Sequence, residues 1–177
     1  MIARSLLLLA LGGTALAAAP HQHASSSPYA GQERRVIAAL SEQEIADLRS
    51  GAGMSMALPA ELNGYPGPRH VLDLADRLGL TPSQHAAAER LLAGMRDKAV
   101  PLGERVIAAE AALGQLFASG IASPATIASA TERVARLRGE LRSVHLAAHV
   151  AMRDVLSLDQ RTSYDRLRGY ARGHGAH

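Results

Sequence analysis

From Ala88 onward, apolar residues recur at alternating steps of four and three: Ala88, Leu92, Met95, Ala99, Leu102, Val106, Ala109, Leu113 and Leu116. That spacing keeps returning to one side of an α-helix, whereas a strand would need strict alternation. The stripe is launched by Thr81-Pro82-Ser83-Gln84, a hydroxyl N-cap, a proline at the first helical position and a glutamine at the third. The pattern predicts a helix over 82–117, about 54 Å long. Pro101 lies inside it and is expected to bend it or release one backbone bond. Ser123-Pro124 repeats the same start, and a second seam follows: Ile127, Ala130, Val134, Leu137, Leu141, Val144, Ala148, Ala151 and Val155. The connection is short, so the two helices are expected to pack antiparallel. Ser157-Leu158-Asp159-Gln160 opens a last helix over 158–170. With an aromatic share of 3% and no Trp, the chain is poorly supplied for an all-β fold. The expected class is all-α, a long kinked hairpin with short N-terminal helices and a C-terminal hook.

The chain ahead of the hairpin is less regular. Residues 1–17 have a basic start, an apolar run and the small-x-small site Ala15-Leu16-Ala17, the anatomy of a secretory signal peptide. The run is too short for a comfortable transmembrane span, and no later stretch is long enough. The expected location is the periplasm, with an uncleaved anchor as the alternative to a cleaved signal. Residues 18–31, rich in Ala, Ser, Pro and His, read as a disordered leader. An N-terminal arm over 32–80 is expected to hold short helices at 33–40, 42–49, 54–62 and 70–80. The second starts at the capping box Ser41-Glu42-Gln43-Glu44 and stops at Gly51, and Pro68 is placed to open the fourth. The hairpin and hook occupy 81–170, and 171–177 is a tail.

Charge and missing residues narrow the chemistry. The 177 residues carry 19 Lys and Arg against 16 Asp and Glu, for a net charge of +3, with Lys98 the sole lysine. That is weak attraction for anionic partners and, with so few aromatics to stack on bases, argues against nucleic acid. The absence of Cys excludes disulfides, thiol nucleophiles and thiolate metal sites. No phosphate-binding glycine loop and no Ser-His-carboxylate set at a recognisable spacing occurs, so no enzyme is expected.

Two groups of residues are candidates for binding. His145 and His149 stand four apart on one helical face, a common start for a Zn, Ni, Co or Cu(II) site. Antiparallel pairing about Gly120 brings Glu89 and His85 of the facing helix toward them, with His70 or Glu61 of the arm as a fourth ligand. The plainer alternative has His145 flanking the seam and His149 in solvent or near a dimer contact. The His21-x-His23 and His174-x-x-His177 tails are further, weaker metal candidates. Arginines form the second group: Arg90, Arg96, Arg105, Arg138 and Arg142 lie along the hairpin and would give it a positive, partly apolar face for unfolded clients. Interspersed acids at Glu104, Glu110, Glu132 and Glu140 allow the plainer account of a salt-bridged solvated face.

The caps Leu80-Thr81-Pro82-Ser83-Gln84 and Leu156-Ser157-Leu158-Asp159-Gln160 resemble the paired Leu-Thr-x-x-Gln motifs of the Spy/CpxP/ZraP family of periplasmic proteins. The first copy matches fully, and the second keeps the capping hydroxyl with Ser157 in place of Thr. The likeness covers residues 71–170. It implies an all-helical, curved antiparallel homodimer. It also implies a stress-induced ATP-independent chaperone or envelope-stress accessory, with unfolded proteins or an envelope sensor as partners. Other members bind heavy metals, so a divalent transition metal (Zn, Ni, Co or Cu) and a sensor or resistance role stay open.

Overall fold

The computed structural model describes residues 27–170, and all their regular structure is helical. The expected signal peptide, most of the leader, the tail and both tail histidine pairs lie outside the described residues. Residues 27–31 form a turn of their own, in which the Tyr29 amide donates to Ser27 Oγ at 3.2 Å. The helical unit begins at Gln32. A 3₁₀ turn (Gln32–Arg34) is followed by α1 (Glu42–Ser50), α2 (Leu58–Glu61), α3 (Pro68–Asp73), α4 (Ala75–Leu78), α5 (Pro82–Ala118), α6 (Pro124–Val155) and α7 (Leu158–Leu167).

The long helices start where hydroxyl caps dictate. Thr81 accepts from the Gln84 amide, Ser123 from Thr126 and Ser157 from Gln160, each at 3.2 Å, and in each case the third helical residue reaches back to the cap's own N–H. α5 continues through Pro101 as one helix. Pro101 lies on the exposed side with Asp97, whose carbonyl an amide at 101 would have reached, so the unmade bond falls on the water-facing side. Gly120, left-handed at φ 68°, turns the chain back. Contacts across the pair fix its antiparallel sense: Glu110 meets Arg138, Arg105 meets Glu140, and Gln84 meets the Val155 carbonyl.

Two apolar clusters fill the unit. One holds Ile37, Leu40 and Leu48 against Ala99, Val106, Ala109, Val134, Leu137 and Leu141. The other, at the open end of the hairpin, packs Val71 and Leu78 with Ala88, Met152, Leu156 and Tyr164. α1 is seated on α5 at Gly103. A β-carbon added there would stand 2.8 Å from the Leu48 carbonyl carbon, so the crossing is close enough to exclude any side chain.

The arm departs from the sequence expectation in three places. The helix expected over 33–40 is only the short 3₁₀ turn, although Ile37 and Leu40 do enter the core. The helix expected over 54–62 shrinks to α2, because Met54 and Ser55 take left-handed φ values of 45° and 59° that no helix continues. The helix expected over 70–80 begins at Pro68 as anticipated but breaks at Leu74, giving α3 and α4. The hook is also shorter than 158–170: α7 ends at Leu167, and Gly169 is left-handed at φ 75°. Among the described residues no helix is long and apolar enough to cross a membrane.

Candidate functional site

Three features meet at the open half of the hairpin. The first is built from the two motif caps. Gln84 Nε2 donates to Gln160 Oε1 at 2.8 Å, and Gln160 Nε2 donates to Gln84 Oε1 at 3.0 Å. Each Oε1 also accepts its own cap's backbone N–H at 3.0 Å. The same amides reach the carbonyls of Val155 at 3.0 Å and Leu78 at 3.4 Å, at the ends of α6 and α4. One reciprocal amide pair therefore ties two helix starts to two helix ends and satisfies carbonyls that helices leave unbonded. Leu156 is buried and Leu80 packs against the same cluster, so Leu80, Thr81, Gln84, Leu156, Ser157 and Gln160 form one clasp.

The second feature is a buried polar knot centred on Glu61. α2 carries this carboxylate inward, where it accepts from the hydroxyl of fully buried Tyr164, from Tyr170 Oη at 3.0 Å and from the Gly67 amide at 3.1 Å. His149 Nδ1 and Arg168 Nε each stand 3.6 Å from it. Burial, and then the bond to Glu61, pushes the Tyr164 hydroxyl well above its usual range. His149 Nδ1 lies 2.7 Å from the Tyr65 carbonyl; a carbonyl only accepts, so this nitrogen carries the proton. Gly67 is required here, because a β-carbon would fall 2.9 Å from the His149 ring. Arg153 lies over the Tyr65 ring, 4.5 Å from its centroid, and donates to its hydroxyl at 3.1 Å. The knot fastens the arm and the hook to α6. Tyr164, Tyr170 and Arg168 were not foreseen from the sequence.

The third feature is a cleft of about 250 Å³ between the 51–53 turn, the start of α3 and the facing sides of α5 and α6. His70, His145 and His149 all line it. His145 neither flanks the seam nor faces solvent. It is 2% exposed within the seam, and its Nε2 has no hydrogen-bond partner. Burial, and then the neighbouring His149, holds it below the usual imidazole range. His85 and Glu89 do not join this group. They face each other at 3.6 Å on α5, both more than 40% exposed, and line neither this cleft nor its neighbour around Glu61. Among the described residues no group of three or more His, Asp or Glu is arranged to hold a metal ion. The metal-ligand set expected from His145, His149, His85, Glu89 and His70 is thus not assembled, because α5 turns two of its members to water.

A neutral buried histidine gives stability a defined pH dependence. The unfolded chain takes up this proton near pH 6.5, and the folded chain only at a lower pH. The unfolded state therefore binds more protons as pH falls below 6.5. The His145 contribution to stability is intact above that value and declines on acidification toward the lower folded pKa. His145→Leu, close in size and without the unpartnered nitrogen, is expected to flatten the fall in stability that sets in below pH 6.5, by up to about 1.4 kcal/mol per pH unit. Urea unfolding at several pH values measures this, and an unchanged slope would contradict it.

The arginines divide into two sets. Arg138 is committed to buried Glu110 at 2.7 Å, and Arg105 lies 3.7 Å from Glu140, which also pairs with Arg136 at 2.8 Å. Arg138 and Arg105 are thus paired with acids of the hairpin itself. Arg90, Arg96 and Arg142 are exposed and have no ion-pair partner among the described residues. Arg90 and Lys98 edge a groove of about 370 Å³ between α5 and α6, floored by Leu91, Met95, Val144 and Ala148.

Comparison of the chain with family models, with curated proteins and with solved structures found no match.

Proposed function

We propose that this chain is a non-enzymatic periplasmic stress-response protein of the Spy/CpxP type. On this reading it binds unfolded or partner proteins without ATP and acts as a homodimer. The observation that carries the reading is the groove between α5 and α6: an apolar floor edged by Arg90 and Lys98, cations unpaired among the described residues, with no acid in its lining. Charge would speed the encounter with acidic, unfolded segments, and a shallow apolar floor would hold them weakly and with little sequence preference. The amide clasp supports the likeness in a second way, since both copies of the motif act at one place.

The test is suppression of aggregation of a chemically denatured client at near-stoichiometric amounts. Wild-type protein is expected to suppress light scattering, less well as salt rises. Arg90→Glu/Lys98→Glu is expected to lose most of the effect while keeping its thermal midpoint. No suppression by wild type at any salt concentration would overturn the reading.

A further inference from the structure

The cleft behind the 51–53 turn has a composition that client binding does not explain. Its titratable lining is Arg69, His70, Arg96, His145 and His149, without one carboxylate. Two acids touch its margins: Asp73 stands 3.6 Å from His70, and Glu61 stands 3.6 Å from His149. Arg69 and Arg96 are exposed and unpaired among the described residues, so both guanidinium groups are available. His145, almost wholly buried, brings an imidazole whose Nε2 the fold leaves without a hydrogen-bond partner. Leaving such a group unsatisfied is costly, and native folds seldom do so without a reason.

We propose that this cleft binds a small oxyanion, a carboxylate or phosphate group on a low-molecular-weight solute. Guanidinium forks match the paired oxygens of such groups, and two of them converging on one cavity give orientation as well as charge. The volume, about 250 Å³, is below the range of about 300–1,000 Å³ typical of drug-sized ligands, which limits the occupant to a few heavy atoms with their water. Backbone completes the enclosure. Gly51, left-handed at φ 65°, lets the 51–53 turn close on α5, and Gly67 lets α3 close on His149. The site stands whether or not the groove between α5 and α6 takes clients.

Titration calorimetry and thermal shift on the full chain test this, with inorganic phosphate, succinate and Zn²⁺ in separate arms against sodium chloride of equal ionic strength. Phosphate or succinate is expected to bind and to raise the thermal midpoint; which of the two binds more tightly identifies the preferred group. Arg69→Gln/Arg96→Gln is expected to weaken that binding at least tenfold and to leave the anion-free midpoint unchanged. Arg133→Gln, on the exposed face of α6 outside the cleft, is expected to bind as wild type does. Heat from neither anion, equal affinity in the double variant, or heat from Zn²⁺ alone would overturn the proposal.

Discussion

Replacing Gly103 with alanine is expected to destabilise the protein by about 2–3 kcal/mol, although alanine is the better helix former by about 1 kcal/mol. Gly103 is deep in α5, where propensity alone favours the substitution. The opposing term is geometric. The new β-carbon would meet the Leu48 carbonyl carbon at 2.8 Å and its α-carbon at 3.3 Å. Both are backbone atoms near the end of α1, so no rotamer change relieves the clash and α1 must lift from α5. Leu48, 1% exposed, would be drawn from the core with it. Gly114→Ala and Gly139→Ala supply the controls, since nothing lies within 4 Å of a β-carbon at either position. Each is expected to gain up to about 1 kcal/mol. Denaturant unfolding gives the three values, and limited proteolysis should show new cleavage at residues 51–57 in Gly103→Ala alone. The 51–53 turn follows α1 directly and walls the oxyanion cleft, so the same variant should also weaken anion binding.

Glu61→Ala is expected to cost more, about 3–5 kcal/mol, the range for breaking a buried charged network by removing one partner. The carboxylate is the common acceptor for Tyr164, Tyr170 and the Gly67 amide. Its loss leaves the hydroxyl of a fully buried Tyr164 without a bond and leaves His149 and Arg168 without their nearby negative charge. Glu61→Gln keeps the shape but turns an amide N–H₂ toward donors, and should lie between wild type and Glu61→Ala. The loss should be concentrated in the arm and hook. Hydrogen exchange is expected to rise in α2, α3 and α7 while the turn end of the hairpin keeps its protection. Uniform loss across the chain, or a cost below about 1 kcal/mol, would contradict the role assigned to Glu61.

The starts of α5, α6 and α7 were legible because each rests on a local cap: Thr81, Ser123 and Ser157 bond within their own first turn. The arm was less legible because its geometry is set from outside. Met54 and Ser55 are left-handed without being glycine, one step past the Gly51-Ala52-Gly53 break, and the break at Leu74 has no glycine or proline beside it. The seam of α6 shows a subtler limit. A strict alternation of four and three puts Val144 and Ala151 inward, but the fully buried positions run Leu137, Leu141, His145, Ala148 and Met152. A helix of 3.6 residues per turn drifts by about 20° per heptad, and by residue 145 the drift has moved the inward face by one position. His145 was therefore placed on the flank when it belongs to the seam. The antiparallel register pointed to His85 and Glu89, which face water, whereas Glu61, named from the sequence only as an arm residue within reach, stands 3.6 Å from His149. Tyr164, Tyr170 and Arg168 reach the knot only because the hook folds back. Three of the chain's four tyrosines, Tyr65, Tyr164 and Tyr170, end up around it, a gathering that no local pattern announces.

The central structural claim is that the two capped motifs operate as one clasp and not as two separate helix starts. A double-mutant cycle on Gln84→Ala and Gln160→Ala, read by denaturant unfolding, tests it directly. Each single variant loses both its own cap contact and the reciprocal amide pair, so the second substitution should cost less in the presence of the first. The expected coupling is about 1–2 kcal/mol. Additivity within about 0.3 kcal/mol would show the two glutamines acting independently and would contradict the clasp.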